Sequence, residues 1–211
     1  MQLAATRSSL AEEWLLLREL THRINNEFAS VANMLSLEAS RTANVETKAT
    51  LNGVMTRLEG YLRVHRALQM PQAGDDVDAA AHLQELCRSI AWSKLDSRNI
   101  DLVFIERPLS LRPEQCWLLG MIVYELINNA ARHAFDEAGG EIRVQIAQAG
   151  RLAECHVADD GTAPSRMRPG RGMQIIEDLA ALLYGRFEHQ FGRFGSASRV
   201  IFPVGGETPL L

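Results

Sequence analysis

Cysteine is scarce in this chain, and its three copies show no pairing pattern. Cys87, Cys116 and Cys155 are the only cysteines among 211 residues, and they lie far apart. An odd number of isolated thiols fits neither a disulfide framework nor the close ligand spacing of a zinc site. We therefore expect three buried, reduced cysteines, with no disulfide scaffold and no cysteine-bound metal.

Long apolar runs and an excess of positive charge are also missing. No apolar stretch reaches the ~18 residues that would cross a bilayer, and residues 1–9 lack the apolar core of a signal peptide. The formal net charge is −4, whereas proteins that bind nucleic acid backbones are usually basic. We expect a cytoplasmic globular protein that binds neither membrane nor nucleic acid.

Two long amphipathic helices are predicted at the N-terminus. The first begins with the capping-box spacing of Ser9 and Glu12, and Asn44 can cap the second. Since a lone hairpin would leave much apolar surface exposed, we expect two hairpins to pack as a homodimeric four-helix bundle. The apolar stripes that define the helices are Leu17, Leu20, Ile24, Phe28, Val31 and Leu35, then Leu51, Val54, Leu58, Leu62 and Leu68.

Changes in composition divide the chain into three parts. Residues 1–70 form the hairpin, residues 71–76 are a Pro- and Gly-containing linker, and residues 77–211 form a second domain. The fold class is α+β, with helices layered on one face of a mixed sheet. In the second domain the pattern predicts helices at 77–94, 113–134 and 172–184, the last followed by Gly185 at C′, and strands at 100–105, 142–146, 152–158, 186–191 and 199–204.

His22 lies on the outer face of the first helix. It is two residues from both Leu20 and Ile24, about 200° around the helix from each, so it points away from the apolar stripe. An exposed neutral imidazole is a competent nucleophile, although a solvated surface histidine would show the same pattern. His65, by contrast, lies on the stripe of the second helix and is expected to be a packed core residue.

Glu125 and Asn129 are four residues apart and therefore share one face of a helix. A carboxylate and a carboxamide oxygen suit Mg²⁺ that is partly held by water and phosphate. Arg132 and His133 follow one turn later and could meet phosphate oxygens. A polar helix face without any ligand would have the same composition.

Two turn segments complete the candidate site. Asp159 and Gly161 follow a predicted strand, where a fixed carboxylate could accept a hydrogen bond from an exocyclic amine such as that of adenine. Gly170 and Gly172 precede a predicted helix, whose free N–H groups and positive dipole end favour phosphate. Each segment would serve equally well as an ordinary surface loop.

In this order and spacing the segments resemble the core of a bacterial two-component histidine kinase. The first helix is similar to the subfamily, related to the HWE kinases, in which it reads Glu-x-x-His-Arg-x-x-Asn, matched by Glu19, His22, Arg23 and Asn26. The resemblance spans about residues 12–204. It implies a dimeric phosphotransfer hairpin followed by a GHKL, or Bergerat-type, α/β sandwich that binds ATP.

The resemblance assigns roles to individual residues. It implies that His22 is phosphorylated, and we expect Glu125 to polarise the imidazole or accept its proton. It also implies a Mg²⁺ ligand at Asn129 and an adenine-binding carboxylate at Asp159. The other implied nucleotide contacts are Arg132, His133, Gly161, Gly170, Gly172 and Ser198, the last standing for a threonine of the final strand.

The chain departs from the family pattern in four places. Ala163 replaces the second glycine of the Asp-x-Gly-x-Gly box, and Arg132 replaces a lysine. The stretch between Gly161 and Gly170 is short, and no Trp-x-Glu of the HWE type lies near it. Two alternatives to a kinase therefore stay open: a histidine phosphotransferase with a degenerate ATP domain, and a non-catalytic partner-switching protein.

The resemblance also implies partners. A histidine kinase passes its phosphoryl group to an aspartate of a response-regulator receiver domain. About a dozen residues precede the first long helix, which leaves no room for a sensor domain. We therefore expect a homodimer that receives its input from a separate sensory protein.

Overall fold

The computed structural model describes residues 2–71, 76–162, 171–192 and 194–205, with side chains from residue 19 onward except that of residue 171. The chain divides into two compact units, one ending at Gln69 and one beginning at Met70. Among the described helices, none has the length and apolarity to cross a membrane. Each unit is described separately below.

The first unit is a helical hairpin. Helix α1 spans Gln2–Arg41 and helix α2 spans Val45–Ala67. The predicted cap of α2 is confirmed, because Oδ1 of Asn44 accepts a hydrogen bond from the Thr47 amide at 2.9 Å. Helix α1 begins before the predicted cap at Ser9, since the residues ahead of it are themselves good helix formers.

Part of the predicted apolar stripe is exposed in the single chain. Leu20 and Val31 expose 55% and 46% of their surface, whereas the polar Asn25 is buried. The expectation that His65 is a core residue is wrong for the single chain. Its ring is exposed and lies 6.0 Å from that of Phe28, centroid to centroid. A hairpin can bury only one seam, and the remaining apolar side chains face outward.

The second unit contains a five-stranded mixed sheet, whose strands are β2 Ile100–Ile105, β4 Gly140–Ala149, β5 Leu152–Asp159, β6 Arg186–Gly192 and β7 Gly195–Pro203. Their order in the sheet is β2-β4-β5-β7-β6. Strand β2 is parallel to β4, and the other neighbouring strands are antiparallel. A small antiparallel pair, β1 Val77–Asp78 with β3 Ser110–Leu111, was not expected from the sequence.

Three helices accompany the sheet: α3 Ala79–Ile90, α4 Pro113–His133 and α5 Arg171–Leu182. In α4, Pro113 stands at the first helical position and Ile122 and Ile127 are fully buried, as the apolar periodicity predicts. Helix α3 ends at Ile90, and a π-helical turn, Ala91–Leu95, follows it within the range predicted as one helix. The predicted α+β class is confirmed.

The prediction that Gly185 is the C′ residue of α5 is wrong. Tyr184, not Gly185, adopts the left-handed conformation, with φ of 54°. The Gly185 amide donates to the carbonyl of Ala180 at 2.8 Å, which places Gly185 at C″ of a Schellman motif. Glycine is required there for space, because a Cβ at this position would lie 2.6 Å from the carbonyl oxygen of Ile201.

The three cysteines are buried and free, as predicted. Burial raises the pKa of the Cys87 and Cys116 thiols to about 12 and also raises the pKa of Cys155. The thiol form therefore predominates at neutral pH, and these side chains act as small apolar core residues.

Asn25 in α1 is a weak point of the hairpin. It is 7% exposed, and neither its Oδ1 nor its Nδ2 has a hydrogen-bond partner among the described residues. We expect Asn25→Leu to raise the free energy of unfolding by about 1–3 kcal/mol, because an unpartnered buried carboxamide is removed. Thermal unfolding measures the change. Asn52→Leu, at an exposed position of α2, is the control and should have little effect. Destabilisation by Asn25→Leu would mean that a second copy supplies the missing partner.

Candidate nucleotide site and phosphoacceptor helix

Asp159 ends strand β5 and is held in a fixed orientation. Its Oδ1 accepts hydrogen bonds from the amides of Gly161 and Ser196, both at 3.2 Å. Its Oδ2 accepts one from the Ser196 hydroxyl at 2.6 Å. Asp159 is 9% exposed. Since a carboxylate has about four acceptor sites and these bonds use three of them, Oδ2 can accept one further hydrogen bond from a ligand.

The turn after Asp159 packs directly against the end of α4. A Cβ at Gly161 would lie 2.2 Å from the carbonyl oxygen of Ala134. That oxygen accepts a hydrogen bond from the Thr162 amide at 2.9 Å. On the other side a Cβ at Gly195, where φ is 117°, would lie 1.8 Å from the carbonyl oxygen of Asp159. Two glycines therefore allow three backbone segments to meet around one carboxylate.

Asn129 faces the first turn of α5. A Cβ at Gly172 would lie 3.2 Å from its Oδ1 and 3.3 Å from its Nδ2, so the carboxamide and the glycine are close neighbours. The first turn of α5 carries no acidic residue. Its amides and the positive end of the helix dipole can therefore attract an anion beside Asn129.

The other predicted residues take varied positions along α4. Glu125 is half-buried, one turn before Asn129, while Arg132 and His133 are exposed in the last turn. Gly170 lies outside the described residues. Among the residues that the structure describes, no group of three His, Cys, Asp or Glu side chains could hold a metal. A Mg²⁺ at Asn129 would take its other ligands in part from oxygens of the nucleotide and from water.

Sequence reasoning missed Ser196. It selected Ser198, but the structure brings Ser196 to Asp159, whereas Ser198 is buried and its Oγ lies 2.7 Å from Nδ1 of His189. The resemblance assigned Ser198 to the threonine of a Gly-Thr pair, whereas Gly195-Ser196 is a pair that keeps the glycine. Strand β7 begins at Gly195, four residues before the predicted strand, and Ser196 and Ser198 share one face of it because they are two residues apart. Gly195-Ser196 was the available signal.

A neighbouring face of α4 and its C-terminal end are held by two basic residues that the sequence did not single out. Nζ of Lys94 donates to Oδ1 of the buried Asn128 at 2.8 Å and lies 3.0 Å from the Tyr124 hydroxyl. Arg98 donates to the carbonyl oxygens of Ala131 and, at 3.5 Å, Phe135, at the C-terminal end of α4. The Arg98 bonds satisfy carbonyls at the end of the helix, and the bonds of both residues hold α4, which carries Asn129, in position.

In the first unit, the four residues of the Glu-x-x-His-Arg-x-x-Asn pattern are exposed on α1 and form two pairs. Arg23 bonds Glu19 at 2.8 Å, and Nδ2 of Asn26 lies 3.2 Å from Nδ1 of His22. The ion pair holds the guanidinium against a carboxylate of its own helix. The hydrogen bond engages Nδ1 of His22.

Comparisons with known proteins agree on one family. A family model described as "Histidine kinase" matches residues 19–94, and one described as "Histidine kinase-like ATPase domain" matches residues 98–189. Sensor histidine kinase PdtaS of Mycobacterium tuberculosis is 31% identical over 181 residues, which are 78% of this chain and 34% of that protein. Blue-light-activated histidine kinase 2 of Erythrobacter litoralis is 24% identical over 152 residues, 69% of this chain and 43% of that protein.

Solved structures share the fold. The histidine kinase domain of a blue-light-activated kinase from Erythrobacter litoralis has a TM-score of 0.59 at 19% identity, covering 83% of this chain and 96% of that one. Histidine kinase AdeS of Acinetobacter baumannii has a TM-score of 0.52 at 14% identity, covering 87% and 97%. The chain spans about a third of the length of PdtaS. Because the two matched regions follow each other and together cover most of the chain, this protein belongs to the histidine kinase family.

Proposed function

We propose that this chain is an ATP-dependent protein-histidine kinase that phosphorylates His22. One observation carries the proposal. Helix α4 brings the Asn129 carboxamide to the first turn of α5, and the C-terminal end of α4 packs against the Asp159 turn. A nucleotide could thus have its base at Asp159 and its phosphates at Asn129. Full-length ShkA, whose structure shares the fold with a TM-score of 0.52 at 15% identity, was solved in complex with AMPPNP.

Each residue of this site has a chemical task. Asp159 accepts a hydrogen bond from the exocyclic amine of adenine, and Ser196 rather than Ser198 holds that carboxylate. Asn129 offers an oxygen to Mg²⁺, and Arg132, His133 and the α5 amides attract phosphate oxygens. Mg²⁺, when bound, neutralises charge on the phosphates. Gly170 belongs to the same proposed set.

The reaction at His22 is a phosphoryl transfer. A neutral imidazole nitrogen attacks the γ-phosphorus, the N–P bond forms, and the bond to the bridging oxygen breaks with ADP as the leaving group. We assign Glu125 the task of polarising the imidazole or accepting its proton. The phosphoryl group then passes to an aspartate carboxylate of a receiver domain, which regenerates free His22.

The alternative is a histidine phosphotransferase whose ATP domain no longer works. The replacement of a motif glycine by Ala163 supports it. The contacts of Asp159 with Ser196 and Gly161 oppose it, because a site without a ligand need not keep a buried, oriented carboxylate. We therefore favour the kinase.

A homodimer and a cytoplasmic location are part of the proposal. The apolar side chains left exposed on the hairpin would be covered by a second copy, as in a four-helix bundle. The residues concerned are Leu20, Ile24, Val31, Met34, Leu37, Val54 and Tyr61.

The direct test is incubation with γ-labelled ATP and Mg²⁺, followed by addition of purified receiver domains. We expect acid-labile, alkali-stable label on this chain and its transfer to one receiver. The competing outcome is no label from ATP, combined with uptake of phosphoryl at His22 from a phosphorylated receiver. That result would replace the kinase by the phosphotransferase.

Asp159→Asn tests the base contact. The amide keeps an acceptor for the Gly161 and Ser196 amides, so the turn should survive, but the charge facing the exocyclic amine is lost. A hydrogen bond to a charged group contributes about 1.5–3 kcal/mol, so we expect ADP binding in calorimetry to weaken by about 10- to 100-fold. Asp160→Asn is the matched control. Asp160 is exposed and accepts from the Glu141 amide at 2.7 Å. Equal losses in both variants would contradict the assignment.

A further inference from the structure

His189 in β6 carries a buried nitrogen without a hydrogen-bond partner. Its Nε2 is shielded from solvent and unpaired among the described residues, while its Nδ1 lies 2.7 Å from Oγ of Ser198. Buried polar atoms in folded proteins nearly always have a partner. An orphaned Nε2 therefore indicates a group that this part of the polypeptide does not supply.

The sheet register places His189 next to the Asp159–Ser196 contact. In the sheet register His189 pairs with Ser198, and Phe191 pairs with Ser196, the residue that binds Asp159. Residues two apart share one face of a strand, so His189 lies one row deeper than the Asp159–Ser196 contact and on the same face. Burial lowers the pKa of His189, and the negative charge of Asp159 raises it by a smaller amount. The two side chains therefore interact electrostatically.

The surroundings of the ring fix its orientation. The Phe187 ring is stacked at 6.2 Å, and the Phe191 ring meets it edge-on at 4.3 Å, both measured between centroids. Because burial lowers the pKa of His189, the ring is neutral at pH 7. Nδ1 of His189 and Oγ of Ser198 share one hydrogen bond, which either atom can donate. In the tautomer in which the Ser198 hydroxyl donates, the proton of the neutral ring is on Nε2. The orphaned atom is then an N–H donor.

We propose that His189 is a nucleobase contact, whose Nε2–H, oriented by Ser198, donates a hydrogen bond to a ring nitrogen of the adenine held by Asp159. This inference rests on the proposed nucleotide site. The ring acceptors nearest the exocyclic amine of adenine are N1 and N7. A guanine in the same place would present an oxo group to the Asp159 carboxylate, so the two residues together would select adenine.

Calorimetric titrations with ADP, 1-deaza-ADP and 7-deaza-ADP in the presence of Mg²⁺ test this proposal. We expect wild type to bind one of the two analogues about tenfold more weakly than ADP, the loss of one neutral hydrogen bond. His189→Phe, which keeps the aromatic cluster, should bind ADP about tenfold more weakly and no longer distinguish that analogue. His189→Gln retains an N–H donor and should recover part of the affinity. His156→Phe, on the other face of β5, is the control.

The possible results are distinct. Equal losses by His189→Phe for ADP and both analogues would mean that His189 only supports the sheet, and unchanged ADP affinity would also overturn the proposal. Thermal unfolding of each variant separates a folding defect from a binding defect. A wild type that binds no ADP at all would instead contradict the nucleotide site on which the proposal rests.

Discussion

Replacing His22 by glutamine is expected to abolish labelling from γ-labelled Mg-ATP. Glutamine is a good helix former, but its carboxamide nitrogen cannot attack phosphorus. His22 is exposed on α1, so the substitution should change the free energy of unfolding by less than about 0.5 kcal/mol. The measurement is acid-labile, alkali-stable label on the denatured chain, with calorimetric ADP binding to show that the nucleotide site is unaffected.

His65→Gln is the matched control for His22→Gln. His65 is also an exposed histidine on a helix of the same unit, and His65→Gln should be labelled as strongly as wild type because His22 is intact. Label that persists in His22→Gln would place the phosphoacceptor elsewhere. Loss of label in both variants would indicate damage to the hairpin rather than removal of a nucleophile.

Local periodicity predicted most of the fold. The cap at Asn44, the start of α4 at Pro113 and the strand at Ile100–Ile105 depend on nearest neighbours along the chain, and all three were read correctly. The pair β1–β3 could not be predicted, because each strand has two residues and forms only through a partner more than thirty residues away. Burial in the hairpin could not be predicted either, because the apolar stripe of a helix does not show which of its residues the neighbouring helix covers.

The site was predicted less completely than the fold. Asp159 and Gly161 are recognisable in the chain, but their fixed geometry depends on Ser196 and Ala134, which are remote in sequence. The sequence does not mark His189 as a site residue, because the surroundings of a single histidine within a strand depend on which residues lie across the sheet. Register is a long-range property, so the sequence alone does not show whether Ser196 or Ser198, two residues apart on one face of β7, lies beside Asp159.

Gly161→Ala is expected to cost more stability than any other single substitution considered for the second unit. The added Cβ would lie 2.2 Å from the carbonyl oxygen of Ala134 and 2.6 Å from its carbonyl carbon, both backbone atoms. A flexible side chain could move away, but the end of α4 is held by hydrogen bonds from Arg98 and Thr162. Overpacking commonly costs about 1–3 kcal/mol, and we expect the upper end, a fall in melting temperature of roughly 10 °C.

Gly150→Ala is the control for Gly161→Ala, because it introduces strain of a left-handed backbone without a steric collision of the new Cβ. Gly150 turns the β4–β5 hairpin with φ of 61°, and a Cβ there would meet nothing within 4 Å. Alanine at 150 therefore costs only about 1–2 kcal/mol for the left-handed conformation, and ADP binding should be unchanged. In Gly161→Ala the Asp159 turn must move away from α4, so ADP binding should weaken even at temperatures where the variant is folded. If Gly161→Ala unfolds and binds ADP like wild type, the close contact between the turn and α4 does not exist in solution, and Asp159 must be positioned in another way.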